Sequence, residues 1–211
     1  MTNIDELIAT LAEEPVAVKP ALHPYALSLK WIVFAALYLL VAILFSRTRP
    51  DLMIKLHQPL FVAEIVALTG IFTASTLSAA LLSFPDLHQM HRKAFAPLPA
   101  FALLLTVMFL AWLADHPGSP LPVHSVECTV SITLFSLLPA AWTFFEMRKF
   151  ASTRYHLAGS IALLSAFSVG ALWLRLHEAT DSIMHIVEWH YLPMLGIGIF
   201  GWLLGGRLLK W

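Results

Sequence analysis

Six apolar stretches, each long enough to cross a bilayer, fill the chain from Leu27 to Leu209: Leu27–Ser46, Leu60–Phe84, Leu98–Ala114, Val126–Phe145, His156–Leu176 and Trp189–Leu209. About 20 helical residues span the hydrocarbon layer, and only elements that satisfy their own backbone can do so. The expected fold is therefore all-α: a polytopic integral membrane protein with six transmembrane helices over residues 27–211. Residues 1–26 form a cytoplasmic tail carrying a short amphipathic helix. With 59% hydrophobic and 12% charged residues and a mean hydropathy of +0.77, a large soluble domain is excluded, because such domains carry about 25% charge. A net charge of zero argues against direct nucleic-acid binding, which needs a concentrated basic surface. The start of the chain does not read as a cleavable signal: Asp5, Glu6, Glu13 and Glu14 stand where a basic region would be.

Charge sets the expected orientation. With both termini inside, the cytoplasmic side holds Lys19, Lys30, Arg92, Lys93, Arg148, Lys149, Arg154, Arg207 and Lys210, against Arg47, Arg49, Lys55 and Arg175 outside. Nine cations against four agree with the positive-inside rule. Only the basic first outer loop dissents.

The tail reads as a peptide made to be bound. Asn3 and Glu6 suit a reciprocal helix cap, and Ile4, Leu7, Ile8 and Leu11 recur on one helical face. Pro15 stops the helix. An isolated helix of this length is marginal in water, so its stripe needs a surface. Membrane-surface helices favour Lys and Arg on the polar face, whereas this one is acidic through Glu14. A hydrophobic groove on a basic cytoplasmic partner suits it better, with packing on the protein's own loops as the alternative.

The outer face collects groups that titrate near neutrality or ligate metals. Candidate sensing residues are Cys128, His124, His177, Asp181, His185, Glu188 and His190, with Glu127 and Glu178 beside them. If the fifth outer loop is helical, His177, Asp181 and His185 line one face at i, i+4 and i+8, which gives a divalent-metal site or a pH-responsive patch. Solvated loop polarity explains the pattern equally well. As the single cysteine, Cys128 is inert packing, a metal ligand shared with the outer histidines, or a redox-reactive thiol. No cofactor is certain; a divalent or heavy-metal ion acting as a signal is the one candidate. The histidines cluster at span ends, which argues against haem.

Within the spans, Glu64 is a candidate for proton coupling, because an intramembrane carboxylate is costly; a hydrogen bond to a neighbouring helix is the simpler reading. Gly196-x-Gly198-x-x-Gly201 copies a dinucleotide fingerprint but follows no strand. Gly201 and Gly205, four apart, instead mark a close helix crossing, within the chain or in a homo-oligomer. No nucleophile–base pair, metalloprotease helix or phosphate loop is present, so an enzyme is not expected.

The runs Leu176-His177-Glu178-Ala179-Thr180-Asp181-Ser182, Val187-Glu188-Trp189-His190 and Gly205-Gly206-Arg207-Leu208-Leu209-Lys210-Trp211 resemble the NrsF-type anti-sigma factors. Asp5-Glu6-Leu7-Ile8, Pro15-Val16, Phe61-x-x-Glu64, Cys128, a Leu137-Leu138-Pro139 turn and Arg148-Lys149 extend the likeness along the chain. The resemblance implies a six-span bacterial inner-membrane protein that negatively regulates an extracytoplasmic-function sigma factor. Its tail would hold that factor through Leu7, Ile8 and Leu11, to which the apolar stripe adds Ile4 and the acidic flank adds Glu14, and an envelope stress, oxidative or heavy-metal in some members, would release it. Where some members carry a second outer cysteine, this chain has His177-Glu178, so an intramolecular disulfide switch cannot operate. A small transporter using Glu64 and the outer histidines is the alternative function.

Overall fold

The computed structural model describes residues 4, 6, 8, 9, 21–85, 91–114 and 125–210. Among these residues there are helices and turns and no strand. The six apolar spans are six helical segments long and apolar enough to cross a membrane. They are α1 (Pro24–Phe45), α3 (Pro59–Leu82), α4 (Pro97–Ala114), α5 (Val126–Met147), α6 (Tyr155–His177) and a composite sixth. The sixth begins as the short α7 (Ile183–His185), passes through a π-helical turn (Ile186–Tyr191) and continues as α8 (Leu192–Leu208). A small helix, α2 (Leu52–Lys55), follows α1, and a 3-10 turn (His91–Phe95) leads into α4.

Several boundaries follow proline chemistry. α1, α3 and α4 open on Pro24, Pro59 and Pro97, where proline's missing N–H costs nothing and its fixed φ suits the first turn. The His23 ring then accepts a hydrogen bond from the Tyr25 backbone N–H at 3.3 Å. Pro139 makes no turn: it lies inside the continuous α5, which corrects the reading of Leu137-Leu138-Pro139 as one. The sixth span starts six residues ahead of Trp189, at Ile183. His185 and Glu188, polar residues between Ile183 and Trp189, lower the hydropathy of that start.

α6 is the hub. It packs against α8, α3 and α5 and touches α1, and most of it is buried whereas most of α1 is not. Its sequence explains this position, since Ala158, Gly159, Ala162, Ala166, Gly170 and Ala171 are small and buried, and small residues let helix backbones approach closely in a membrane. A Cβ on Gly159 would strike the Gly201 carbonyl oxygen and, at 2.6 Å, Gly205 Cα; one on Gly201 would meet Ser160 Cα at 2.7 Å. The expected close crossing at Gly201 and Gly205 is thus made inside the chain, against α6, and that face is not free to dimerise. On the other side, a Cβ on Gly170 would strike Ser136 Oγ of α5.

Interhelical hydrogen bonds supplement this packing: Thr76 Oγ1 with Ser165 Oγ at 2.7 Å, Ser160 Oγ to the Gly198 carbonyl at 2.8 Å, and Tyr38 OH to the Phe135 carbonyl at 3.0 Å. At the proximal end, where α1 begins, the core gathers Leu27, Trp31, Leu82, Met147, Ala162 and Leu209. Toward the distal end it gathers Leu68, Ile71, Ile132, Phe167, Leu172 and Tyr191.

Candidate functional site

Two adjoining polar clusters occupy the distal end, and the segment after α6 supplies both. α6 ends at His177, and Glu178 turns extended with φ −89° and ψ 137°. Residues 178–182 are not helical, so the predicted face of His177, Asp181 and His185 does not form. His177 stacks on Trp173 at 5.2 Å, while Asp181 and His185 go to different clusters.

The first cluster is a chain of ion pairs. Fully buried Arg49, in the loop after α1, grips Asp181 with two bonds of 3.0 and 2.7 Å and Asp51 with bonds of 2.7 and 2.9 Å. Its backbone N–H donates to the Leu176 carbonyl at 3.1 Å, fixing the loop to the end of α6. Lys55 joins Asp181 at 2.7 Å. Burial pushes the Asp181 carboxyl up, but the hydrogen bonds from Arg49 and Lys55 outweigh it and pull the group down to about 2. Arg49 is held above its ordinary range by its bonds to Asp51 and Asp181.

Beneath it, Arg175 of α6 meets Glu64 of α3 in a buried bidentate pair, Nε to Oε1 at 2.7 Å and Nη2 to Oε2 at 2.9 Å. The Tyr191 hydroxyl also donates to Glu64 Oε1. The Phe61 ring lies under both guanidinium groups, 5.4 Å from Arg49 and 5.3 Å from Arg175. Glu64 is therefore hydrogen-bonded to neighbouring helices, the simpler of its two sequence readings. A cavity of about 420 Å³ opens beside it, with Lys55, Gln58, Glu64, Arg175 and Asp181 on its polar wall. The sequence singles out Arg49 and Arg175 only as outer-side cations, with no partner for either, and gives no role to Tyr191. The signal available was an arginine in the last turn of one apolar span and a glutamate in the first turns of another.

The second cluster joins Cys128, Glu178, His185 and His190, whose candidate ligand atoms all lie within 4.8 Å of one another. Cys128 Sγ donates to Glu178 Oε2 at 3.0 Å and stands 3.6 Å from His185 Nε2. Glu178 Oε1 is 4.0 Å from His185 Nε2, and Glu178 Oε2 is 3.9 Å from His190 Nε2. Burial raises Glu178, but hydrogen bonds from Cys128 and Thr180 and the nearby histidines leave its carboxyl below the ordinary value. Thr129 Oγ1 bonds the Trp189 carbonyl at 2.6 Å and ties the π-turn to α5. Glu188, half-buried on that turn, is not among the four. Glu178 was the member that the sequence reading left out of its sensing set.

At the proximal end Glu146 pairs with Lys30 at 3.1 Å and Lys149 at 2.6 Å. Ile4 and Ile8 are helical and exposed, while Leu7, Leu11, Glu14 and His124 lie outside the described residues.

The model of the family described as NrsF, negative regulator of sigma F, matches residues 11–211, nearly the whole chain. The chain belongs to the NrsF family. That membership makes it a negative regulator of a sigma factor, with a sigma factor as its partner. Of the tail stripe, Leu11 falls within the matched range, as does Glu14, while Ile4, Leu7 and Ile8 precede it. Neither the comparison with curated proteins nor that with solved structures yields a match.

Proposed function

We propose that this NrsF-family chain is an anti-sigma factor of the bacterial inner membrane. It sequesters an extracytoplasmic-function sigma factor through its cytoplasmic N-terminal tail and releases it on an envelope signal read at the distal end. The observation that carries the proposal is the family match over a chain whose described residues are nearly all spans and short loops. Partner binding is thereby directed to the tail. The exposed helical Ile4 and Ile8 support a docking face continued by Leu7 and Leu11 and flanked by Glu14. An acidic helix with one apolar face suits a groove with basic surroundings. The charge bias of the loops supports both termini on the cytoplasmic side, which puts the polar clusters on the outer face. Regulation of this kind needs no catalytic step. It needs two packing states that the signal binds unequally.

The alternative, a transporter relying on Glu64, is disfavoured by that residue's commitment to Arg175 and Tyr191. Co-purification decides between them. Wild type and a Leu7→Asp/Leu11→Asp double variant are each co-expressed with the host's extracytoplasmic-function sigma factors and extracted in detergent. The proposal expects one sigma factor to accompany wild type and to be lost from the variant, with membrane insertion unchanged. Absence of any sigma factor from both preparations, with normal insertion, overturns it. Reporter fusions at each terminus test the orientation.

A further inference from the structure

Two histidines five residues apart do not share a face of an α-helix, since at 3.6 residues per turn they fall about 140° apart. The π-turn Ile186–Tyr191 narrows that offset, because its i→i+5 bonding brings residues five apart closer to one face; such insertions recur at functional sites. The rings of His185 and His190 consequently meet edge to face, 5.3 Å between centroids. Cys128, on the first turn of α5, and Glu178, just past α6, close the other sides.

The spacing is that of a coordination shell before contraction. A tetrahedral zinc ion with bonds of about 2.0–2.3 Å sets its donors about 3.3–3.8 Å apart. Contacts of 3.0, 3.6, 4.0 and 3.9 Å already stand within 1 Å of that. His190 supplies the independent observation. It is entirely buried, and neither ring nitrogen has a hydrogen-bond partner among the described residues. A buried imidazole left in that state is costly, and its Nε2 lies among the Cys128, Glu178 and His185 donors.

We propose that Cys128, Glu178, His185 and His190 form a four-coordinate site for a divalent cation of the zinc class. One thiolate, two imidazoles and one carboxylate suit zinc, cadmium or cobalt, and they do not suit magnesium or calcium, which seek six or more oxygens. On binding, Cys128 gives its thiol proton to water and four metal–ligand bonds form with no change of oxidation state. Thiolate and carboxylate then balance the ion's charge, which favours a site at the membrane boundary. The ion ties together the start of α5, the end of α6 and the start of the sixth span. Its use as the release signal rests on the regulator reading above, whereas the binding itself does not.

The full-length chain, purified in detergent and stripped with a chelator, is titrated with Co²⁺ and then Zn²⁺. The expected result is one Co²⁺ per chain with the visible bands of a four-coordinate ion and a near-ultraviolet thiolate band, both displaced by Zn²⁺. Cys128→Ser removes the thiolate band, and Cys128→Ser, Glu178→Gln and His190→Gln each weaken binding by at least the roughly 10–100-fold that loss of a mere outer-shell partner costs. His177→Ala leaves affinity unchanged. Cys128→Ser is nearly isosteric, so it keeps the test decisive where a histidine variant loses its helicity. A wild-type chain without stoichiometric binding, or binding indifferent to Cys128→Ser and His190→Gln, overturns the site. Sigma-factor capture is scored on the same chain after chelator stripping and before titration. Normal capture by a chain that then binds no ion defeats the site alone, and ion binding by a chain that captured no sigma factor when stripped defeats the tail-capture reading alone.

Discussion

Glu64 and Arg175 persist at the edge of the apolar layer because each answers the other, with Tyr191 completing the carboxyl group's bonds. Removing one charge leaves its partner buried and uncompensated, which costs about 3–5 kcal/mol. Glu64→Gln is therefore expected to lose that much stability in a reversible detergent unfolding assay. Glu64→Met combined with Arg175→Leu, which removes both charges, is expected to recover most of it. Asp181 adds a dependence on pH. Its carboxyl lies at about 2 in the folded chain against an ordinary 3.8, so its contribution is fully present above pH 3.8 and is lost as pH falls toward 2. Melting temperature should fall more steeply across that interval in wild type than in Asp181→Asn, and the difference between the two should vanish below it.

At the level of elements, the α6–α8 crossing makes a sharp test. Gly205→Val sets side-chain atoms against the Tyr155 carbonyl oxygen and Gly159 Cα and is expected to cost about 1–3 kcal/mol. Gly198→Ala meets nothing within 4 Å and should leave stability within about 1 kcal/mol of wild type. Thermal unfolding of both variants checks the pair. This crossing was legible in advance because its cause is local: small residues four apart on an apolar helix. The distal clusters were not. The spacing of His177, Asp181 and His185 presupposed a helix that Glu178 ends, and the pairing of His185 with His190 depends on a π-turn that no periodicity announces. The pairing of Arg49 was not legible because its partner Asp181 lies 132 residues away.

For the molecule as a whole, the number of spans and the extent of all but the sixth followed closely from hydropathy alone, but their arrangement did not. All six stretches are apolar throughout, so no face of them marks the core; what singles out α6 is its density of alanine, glycine and serine. Enlarging that core should be costly and trimming the periphery cheap. Ala162→Leu, at a fully buried site, is expected to lose about 1–3 kcal/mol, while Leu37→Ala, 56% exposed on α1, should change little. Denaturant titration of both variants checks the contrast. The glycine contact has a mechanical consequence. Where α8 meets α6 backbone to backbone, no side chain lies between them to absorb a displacement, and α8 has a fulcrum. About 15 Å of helix separates Tyr191 from Gly201, and about 10 Å separates Gly201 from Leu208. A rigid rod pivoting there returns a tilt at its distal end as an opposite and smaller excursion beside the origin of the first span.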